Sequence, residues 1–226
     1  MKRLLICSIP ILFLLIGIYY SAAETIESWN QGGYPPQIII DIGHGGNDPG
    51  KVGINNALEK DINLAIGLYL KEHLTAAGYQ VTLTRETDTS LAEPDASNQK
   101  LSDLKNRVAL INRLGPSAVI SIHQNSYPGK NVHGAQVFYG SSKESKDFAT
   151  YVQSQLKRVL NPNNTRTIKE NPDYYLFRHT TCPIIIAECG FLSNYEEANL
   201  LITESYQRQI AWAIHMGTIQ FLKSIE

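Results

Sequence analysis

The chain has 226 residues, 43% of them hydrophobic and 18% charged, which is enough apolar material for one substantial core and too much for a disordered chain. A formal net charge of −1 with no basic stripe excludes a nucleic-acid binder. Beyond residue 23 the balance is 18 basic against 21 acidic residues, a net −3.

Lys2 and Arg3 precede an apolar run from Leu4 to Tyr20, which closes on Ser21-Ala22-Ala23. A basic start, an apolar middle and small residues at the end describe a secretory signal, and Ser21 and Ala23 fit its cleavage rule. The run, residues 4–20, is also just long enough for a membrane anchor. Residues 1–23 are therefore read as a signal peptide or a membrane tether. Either way the remainder is exported, secreted or held on the outer face of the cytoplasmic membrane. Residues 24–36, with Gly32, Gly33, Pro35 and Pro36, read as a linker, and residues 37–226 as a single α/β domain. No internal repeat and no second globular domain is visible.

The first strand, Ile38-Ile39-Ile40-Asp41-Ile42, runs into Gly43-His44-Gly45-Gly46. This is a buried strand ending in a sharply bent loop, which puts an imidazole at the strand's mouth. A helix from about Ala57 to Ala77 follows, with Glu59 in its first turn and Gly78 as its stop. Val81 to Thr84 forms the second strand, so strand, helix and strand predict a right-handed crossover. The polar, aperiodic stretch 86–100 is read as a rim of a substrate groove. A helix over 101–114 stops at Gly115-Pro116, and Ala118 to Ile122 is a second apolar strand, ending in His123. Gln136 to Tyr139 predicts a strand, residues 143–160 an amphipathic helix, and Tyr174 to Arg178 a short strand or helix. The third apolar run, Pro183 to Ala187, ends in Glu188. Ser193 to Glu196 has capping-box spacing, and residues 204–223 form the last helix. Cys182 and Cys189 flank an extended run and would lie ~20 Å apart, beyond disulfide reach, so both are expected as free thiols.

Together these elements predict a three-layer α/β domain, a mostly parallel twisted sheet flanked by helices. In such sheets ligands gather outside the carboxyl ends of the strands. If the three apolar strands lie parallel and adjacent, His44, His123 and Glu188 converge there. Two imidazoles suit a catalytic zinc, which takes three protein ligands and keeps one position open. Spacing leaves the third ligand open among Glu59, Asp41, Asp48 and Glu188. A carboxylate outside the ligand set could serve as general base toward water. Glu188 could instead pair with Arg85 or Arg107 in a structural ion pair. Arg85 is read equally as a substrate contact or a loop anchor, and Asn125 as a substrate contact or, more often, a turn-former. Tyr174, Tyr175 and Phe177 could line a glycan groove, but edge-strand packing is the preferred reading. His73 and His133 are read as surface or loop residues, His215 as a packing residue, and His179 as lying at the strand end opposite Glu188.

Four segments in order carry a resemblance. They are Asp41-Ile42-Gly43-His44-Gly45-Gly46; Glu59 with Lys60-Asp61-Ile62-Asn63-Leu64; Ser121-Ile122-His123-Gln124-Asn125; and Ala187-Glu188-Cys189-Gly190-Phe191-Leu192-Ser193-Asn194. With Thr84-Arg85-Glu86-Thr87-Asp88, they resemble the signature segments of the zinc-dependent N-acetylmuramoyl-L-alanine amidases, over roughly residues 37–223. The resemblance implies that His44, Glu59 and His123 hold Zn2+ and that Glu188 is the catalytic carboxylate. It implies hydrolysis of the amide between the lactyl group of N-acetylmuramic acid and the L-alanine of peptidoglycan stem peptides. One exported catalytic domain without wall-binding repeats is similar to the spore-cortex amidases, whose action leads toward muramic-δ-lactam. It also implies a tethering or activating partner protein. Gln124 stands where many relatives have a smaller residue, which bears on pocket shape. The competing readings are another exported zinc hydrolase of wall peptides or sugar amides, and a non-catalytic wall-binding protein.

Overall fold

The computed structural model describes residues 35–225; the leader and residues 24–34 of the expected linker lie outside them. The elements in order are β1 (Gln37–Ile42), α1 (Glu59–Ala76), β2 (Gln80–Leu83), α2 (Gln99–Leu114), β3 (Ala118–Asn125), β4 (Gln136–Tyr139), α3 (Lys143–Leu160), β5 (Lys169–Glu170), α4 (Tyr175–His179), β6 (Ile184–Phe191), α5 (Tyr195–Leu201) and α6 (Glu204–Ile225). The strands form one sheet in the order β2-β1-β3-β6-β4-β5. Strands β1, β3 and β6 are parallel neighbours at its centre, and β4 runs antiparallel to β6. Among the described residues no helix is long and apolar enough to cross a membrane.

The two faces of the sheet are unequally covered. On one, Ile38, Ile40, Ile120 and Ile185 pack with the apolar sides of α1, α3 and α6 in the main core. Phe148 and Phe221 stack there at 4.5 Å between ring centroids. At Gly217 a Cβ would stand 2.6 Å from the Val152 Cα, so α3 and α6 approach closely only because that residue is glycine. The other face carries a small cluster, Ile39, Ile111, Val119, Leu176 and Ile184, under α2 and α4. Side chains alternate along a strand. Ile39, Val119 and Ile184 face the thin layer, so Asp41, His123 and Glu188, two or four residues on, face it too. The register makes His123 and Glu188 direct neighbours across β3 and β6. Convergence therefore follows from three apolar runs whose polar ends share one side of the sheet.

Some boundaries differ from the sequence reading for local reasons. Helix α1 starts at Glu59, because Val52 and Leu58 bridge the preceding loop in an extended conformation. The cap of α5 is Asn194, which accepts from the N–H groups of Glu196 and Glu197; Ser193 instead accepts from the Tyr127 N–H. Gly115, at φ 56, ends α2 in the left-handed conformation expected of it. The segment at Tyr174 to Arg178 resolves as helix α4. Cys182 and Cys189 are free thiols.

Candidate metal centre

Glycines shape the loop after β1. A Cβ on Gly43 would collide with the His123 ring, and one on Gly50 would stand 2.6 Å from both Glu59 Oε2 and His44 Cδ2. His44 itself has φ 62, a costly conformation for a residue with a side chain. Two buried arginines hold it there. Arg107 donates to the His44 carbonyl at 2.9 Å and to the Ile42 carbonyl at 2.6 Å. Arg85 donates to the carbonyls of Gly43 at 3.1 Å, Lys60 at 2.7 Å and Thr87 at 3.0 Å. Arg85 is thus a loop anchor, which decides its open reading. Arg107 pairs with Asp41 at 2.7 Å, and Ser121 donates to the other Asp41 oxygen at 2.6 Å. Burial opposes the Asp41 charge, but Arg107 and Ser121 outweigh it and keep the carboxyl below its ordinary range. Both arginine partners considered for Glu188 are therefore engaged elsewhere.

Loop and strand ends bring His44, Glu59 and His123 together, with one candidate ligand atom from each lying within 4.8 Å of the others. The two rings meet edge-on with centroids 5.0 Å apart. His44 Nε2 lies 3.2 Å from Glu59 Oε2, and His123 Nδ1 lies 3.0 Å from Glu59 Oε1. A tetrahedral zinc with bonds of ~2.0–2.1 Å has ligand–ligand edges of ~3.3 Å, so these separations and the N, N, O donor set fit that ion. Of the four carboxylates the sequence left open, Glu59 is the one between the imidazoles. Asp41 is turned to Arg107, and Asp48 stands behind His44, its Oδ2 2.8 Å from Nδ1. That leaves His44 Nε2 pointing toward Glu59 and fixes the ring.

Glu59 is buried, and four further groups orient it. Lys51 N–H donates to Oε2 at 2.8 Å, and Gln124 N–H donates to Oε1 at 3.0 Å. Asn63, one turn along α1, donates to Oε1 at 3.4 Å and to the Gly43 carbonyl at 3.2 Å. The Gln124 side chain donates to Asn63 at 3.1 Å. Gln124 therefore lies on the α1 side of the sheet and supports Glu59 rather than shaping the open pocket. Burial opposes ionisation of Glu59, but hydrogen bonds from His123 and His44 outweigh it and hold its carboxyl far below the usual range. Burial likewise resists charge on His123, yet the hydrogen bond and charge of Glu59 raise its pKa. Asn63 and the supporting role of Asp48 were missed in the sequence; the spacing of Asn63 one helical turn from Glu59 was the available signal.

Glu188 stands beside this group. Its Oε2 is shielded from solvent and has no hydrogen-bond partner among the described residues. Burial, reinforced by Glu59 and opposed by His123, pushes its pKa up to about 7. A cavity of about 180 Å³ opens against it, walled by Leu104, His123, Tyr174, Tyr175 and Leu176. Tyr174 and Tyr175 line this cavity, and Tyr174 also makes the edge-strand packing expected of the aromatic group, its ring 5.7 Å from that of Phe138 in β4 and 5.7 Å from that of Phe177. Asn125 accepts from the Ser126 N–H at 2.8 Å, the turn-forming role. His73, His133, His179 and His215 lie outside the group.

Residues 38–220 match the Amidase_3 model, N-acetylmuramoyl-L-alanine amidase. The chain belongs to this family. It is 38% identical, over 93% of this chain and 90% of the relative, to the germination-specific N-acetylmuramoyl-L-alanine amidase of Bacillus subtilis strain 168. The CwlD amidase of Clostridioides difficile, solved in complex with the GerS lipoprotein, is 40% identical. It superposes with a TM-score of 0.81 over 84% of this chain and all of that one. An N-acetylmuramoyl-L-alanine amidase of Clostridium difficile 630 gives a TM-score of 0.77 at 32% identity, over 86% of this chain and all of that one. The amidase is thus a peptidoglycan hydrolase with a His–Glu–His group able to hold a metal ion.

Proposed function

We propose that the amidase uses a zinc ion held by His44, Glu59 and His123, with Glu188 as general base, to cut the amide between the muramoyl lactyl group and L-alanine. The meeting of two imidazoles and a carboxylate beside an unpartnered buried carboxyl carries this reading. Imidazole-rich donor sets favour zinc over magnesium or calcium. Bound zinc supplies Lewis acidity, polarising the lactyl carbonyl and making water a better nucleophile.

The chain's own residues do the rest. Asp48 and Asn63 keep His44 and Glu59 aimed. Glu188 takes a proton as water oxygen attacks the carbonyl carbon, then returns it to the departing L-alanine nitrogen as the C–N bond breaks. A carboxyl lifted by burial is suited to both transfers, and a nearby dication lowers it again toward the ionised form that must act first. The products are a free lactyl carboxylate and a stem peptide with a new amine.

The germination-specific relative, matched over nearly its whole length, supports action on spore cortex. There removal of the stem frees the lactyl carboxyl that a muramic-δ-lactam ring needs. Residues 1–23 export the enzyme as a signal or a tether through residues 4–20. The lipoprotein complex of the C. difficile relative supports a membrane-anchored partner that positions or activates the domain.

Mass spectrometry of cortex peptidoglycan digested with the zinc-loaded protein tests the reading. Intact stem peptides with L-alanine amines are expected; acetate or single terminal residues would overturn it. Glu188→Gln is expected to lower turnover by about 10²–10⁴-fold with zinc still bound. A change of only a few-fold removes Glu188 as the base.

A further inference from the structure

Beside the cavity that lies over His44 and His123 themselves, two others flank the metal centre, and their walls differ in kind. The first is the apolar, aromatic one at Glu188, with Tyr174 and Tyr175. The second, about 290 Å³, lies between the loop after β1 and the loop after β3, and is lined by Lys51, Val52, Ile54, Ser126, Tyr127 and Lys130. It adjoins the same centre from another side. The Lys51 N–H is bonded to Glu59 Oε2, and Ser126 follows the last residue of β3, three positions past His123.

The two lysines are exposed, and among the described residues neither ammonium has a carboxylate partner. Lys60 and Lys100, beside the same loop, are by contrast tied to Asp88 at 2.6 Å and Asp48 at 3.1 Å. The walls are also fixed in advance. Ile54 N–H donates to the Leu192 carbonyl at 3.0 Å, and Tyr127 N–H to Ser193 Oγ at 2.9 Å. A pre-formed site spends less binding energy on ordering.

The substrate is equally asymmetric about the bond that breaks. On one side stands a muramoyl sugar, uncharged once its lactyl group is in the amide, with C–H faces that suit aromatic rings. On the other is a peptide that carries the free carboxylate of its D-glutamate and a terminal carboxylate. We infer that Lys51 and Lys130 bind the carboxylates of the stem peptide, so that the peptide occupies their cavity and the sugar lies against Tyr174 and Tyr175. This rests on the amidase reading and adds to it a direction for the substrate and a specificity determinant. Exposed charge pairs are individually weak, so the two lysines act mainly on binding.

The experiment pairs changes in enzyme and substrate. Wild type and Lys51→Gln/Lys130→Gln are assayed on two muramoyl peptides, one with the D-glutamate carboxylate free and one with it amidated. Wild type is expected to show a KM roughly two- to fivefold higher on the amidated peptide, with kcat within about twofold. The double variant is expected to show one KM on both peptides, at least as high as that of wild type on the amidated one, because the lost D-glutamate pairing cannot be lost twice. Equal KM values for wild type on the two peptides, or penalties that simply add, overturn the assignment. So does loss of the discrimination in Tyr174→Ala but not in the lysine variant, which would turn the substrate around. Zinc content and melting temperature, expected unchanged in the lysine variant, separate recognition from damage. If wild type releases no stem peptide from either substrate, the amidase reading itself fails, a result distinct from equal cleavage of both.

Discussion

Two pairs of histidines in this protein are almost equally close. The rings of His44 and His123 are 5.0 Å apart, and those of His73 and His215 are 5.6 Å apart. The first pair encloses Glu59, and each imidazole faces one of its oxygens. The second pair encloses an indole: the Trp212 ring lies 5.4 Å from His73 and 5.2 Å from His215. Helix α1 serves both, offering Glu59 at its first residue and His73 near its last turn. The consequences run in opposite directions. Against the opposing effect of burial, Glu59 raises the pKa of His123. Burial, followed by repulsion from His73, drops that of His215 to about 4. Spacing alone therefore does not make a metal centre. An anionic donor between the rings, and anchors behind them, make one pair able to hold a cation and the other a packed contact.

The sharpest way to break this contrast is to remove the anion. Glu59→Ala is expected to abolish stoichiometric zinc binding and to lower turnover on the order of 10³-fold, since Lewis acidity contributes several kcal/mol to the barrier. His73→Ala is expected to leave zinc content unchanged. Elemental analysis of both purified variants checks this, and zinc retained by Glu59→Ala or lost by His73→Ala would erase the distinction. A smaller effect is expected behind the first ring. Asp48→Asn keeps a hydrogen-bond acceptor for His44 Nδ1 but removes its charge, and zinc affinity is expected to fall about tenfold. Chelator competition measures it, and an unchanged affinity would mean that His44 needs no anchor.

The first pair was largely legible in the sequence, for a physical reason. Each of three apolar runs ends in a group with chemistry, and parallel strands deliver such ends to one edge. Once Ile39, Val119 and Ile184 are known to face α2 and α4, alternation carries His123 and Glu188 to that side as well. Glu59 was legible only through family likeness. Its place depends on how the loop returns from His44, through the tight passage at Gly50 and the Val52–Leu58 bridge, and spacing does not encode that path. The supports were least visible. Arg107 reaches Asp41 across 66 positions and Gln124 reaches Asn63 across 61, so both contacts exist only after the sheet has formed. Gln124 was expected to shape the pocket, although its place between His123 and Asn125 already put it on the opposite side of β3.

The second pair predicts a modest effect on stability rather than on catalysis. His215 is buried, and its Nδ1 has no hydrogen-bond partner among the described residues. Protonating it would place a cation against His73 in an apolar contact between α1 and α6. An unfolded chain takes that proton near pH 6.5, whereas the folded chain refuses it until about pH 4. The unfolded state therefore binds more protons in this window, and stability falls as pH falls through it. The contribution is fully present above pH 6.5 and lost by about pH 4. His215→Leu removes this proton linkage. Relative to wild type, the variant is expected to gain on the order of 1–2 kcal/mol between pH 7.5 and pH 4.5, read from urea midpoints at the two values. Comparing the two proteins cancels the acid sensitivity of Asp41 and Glu59, which they share. Parallel pH profiles would show that the His73–Trp212–His215 contact tolerates charge as readily as the Glu59 group does, and the contrast between the two pairs would then rest on zinc binding alone.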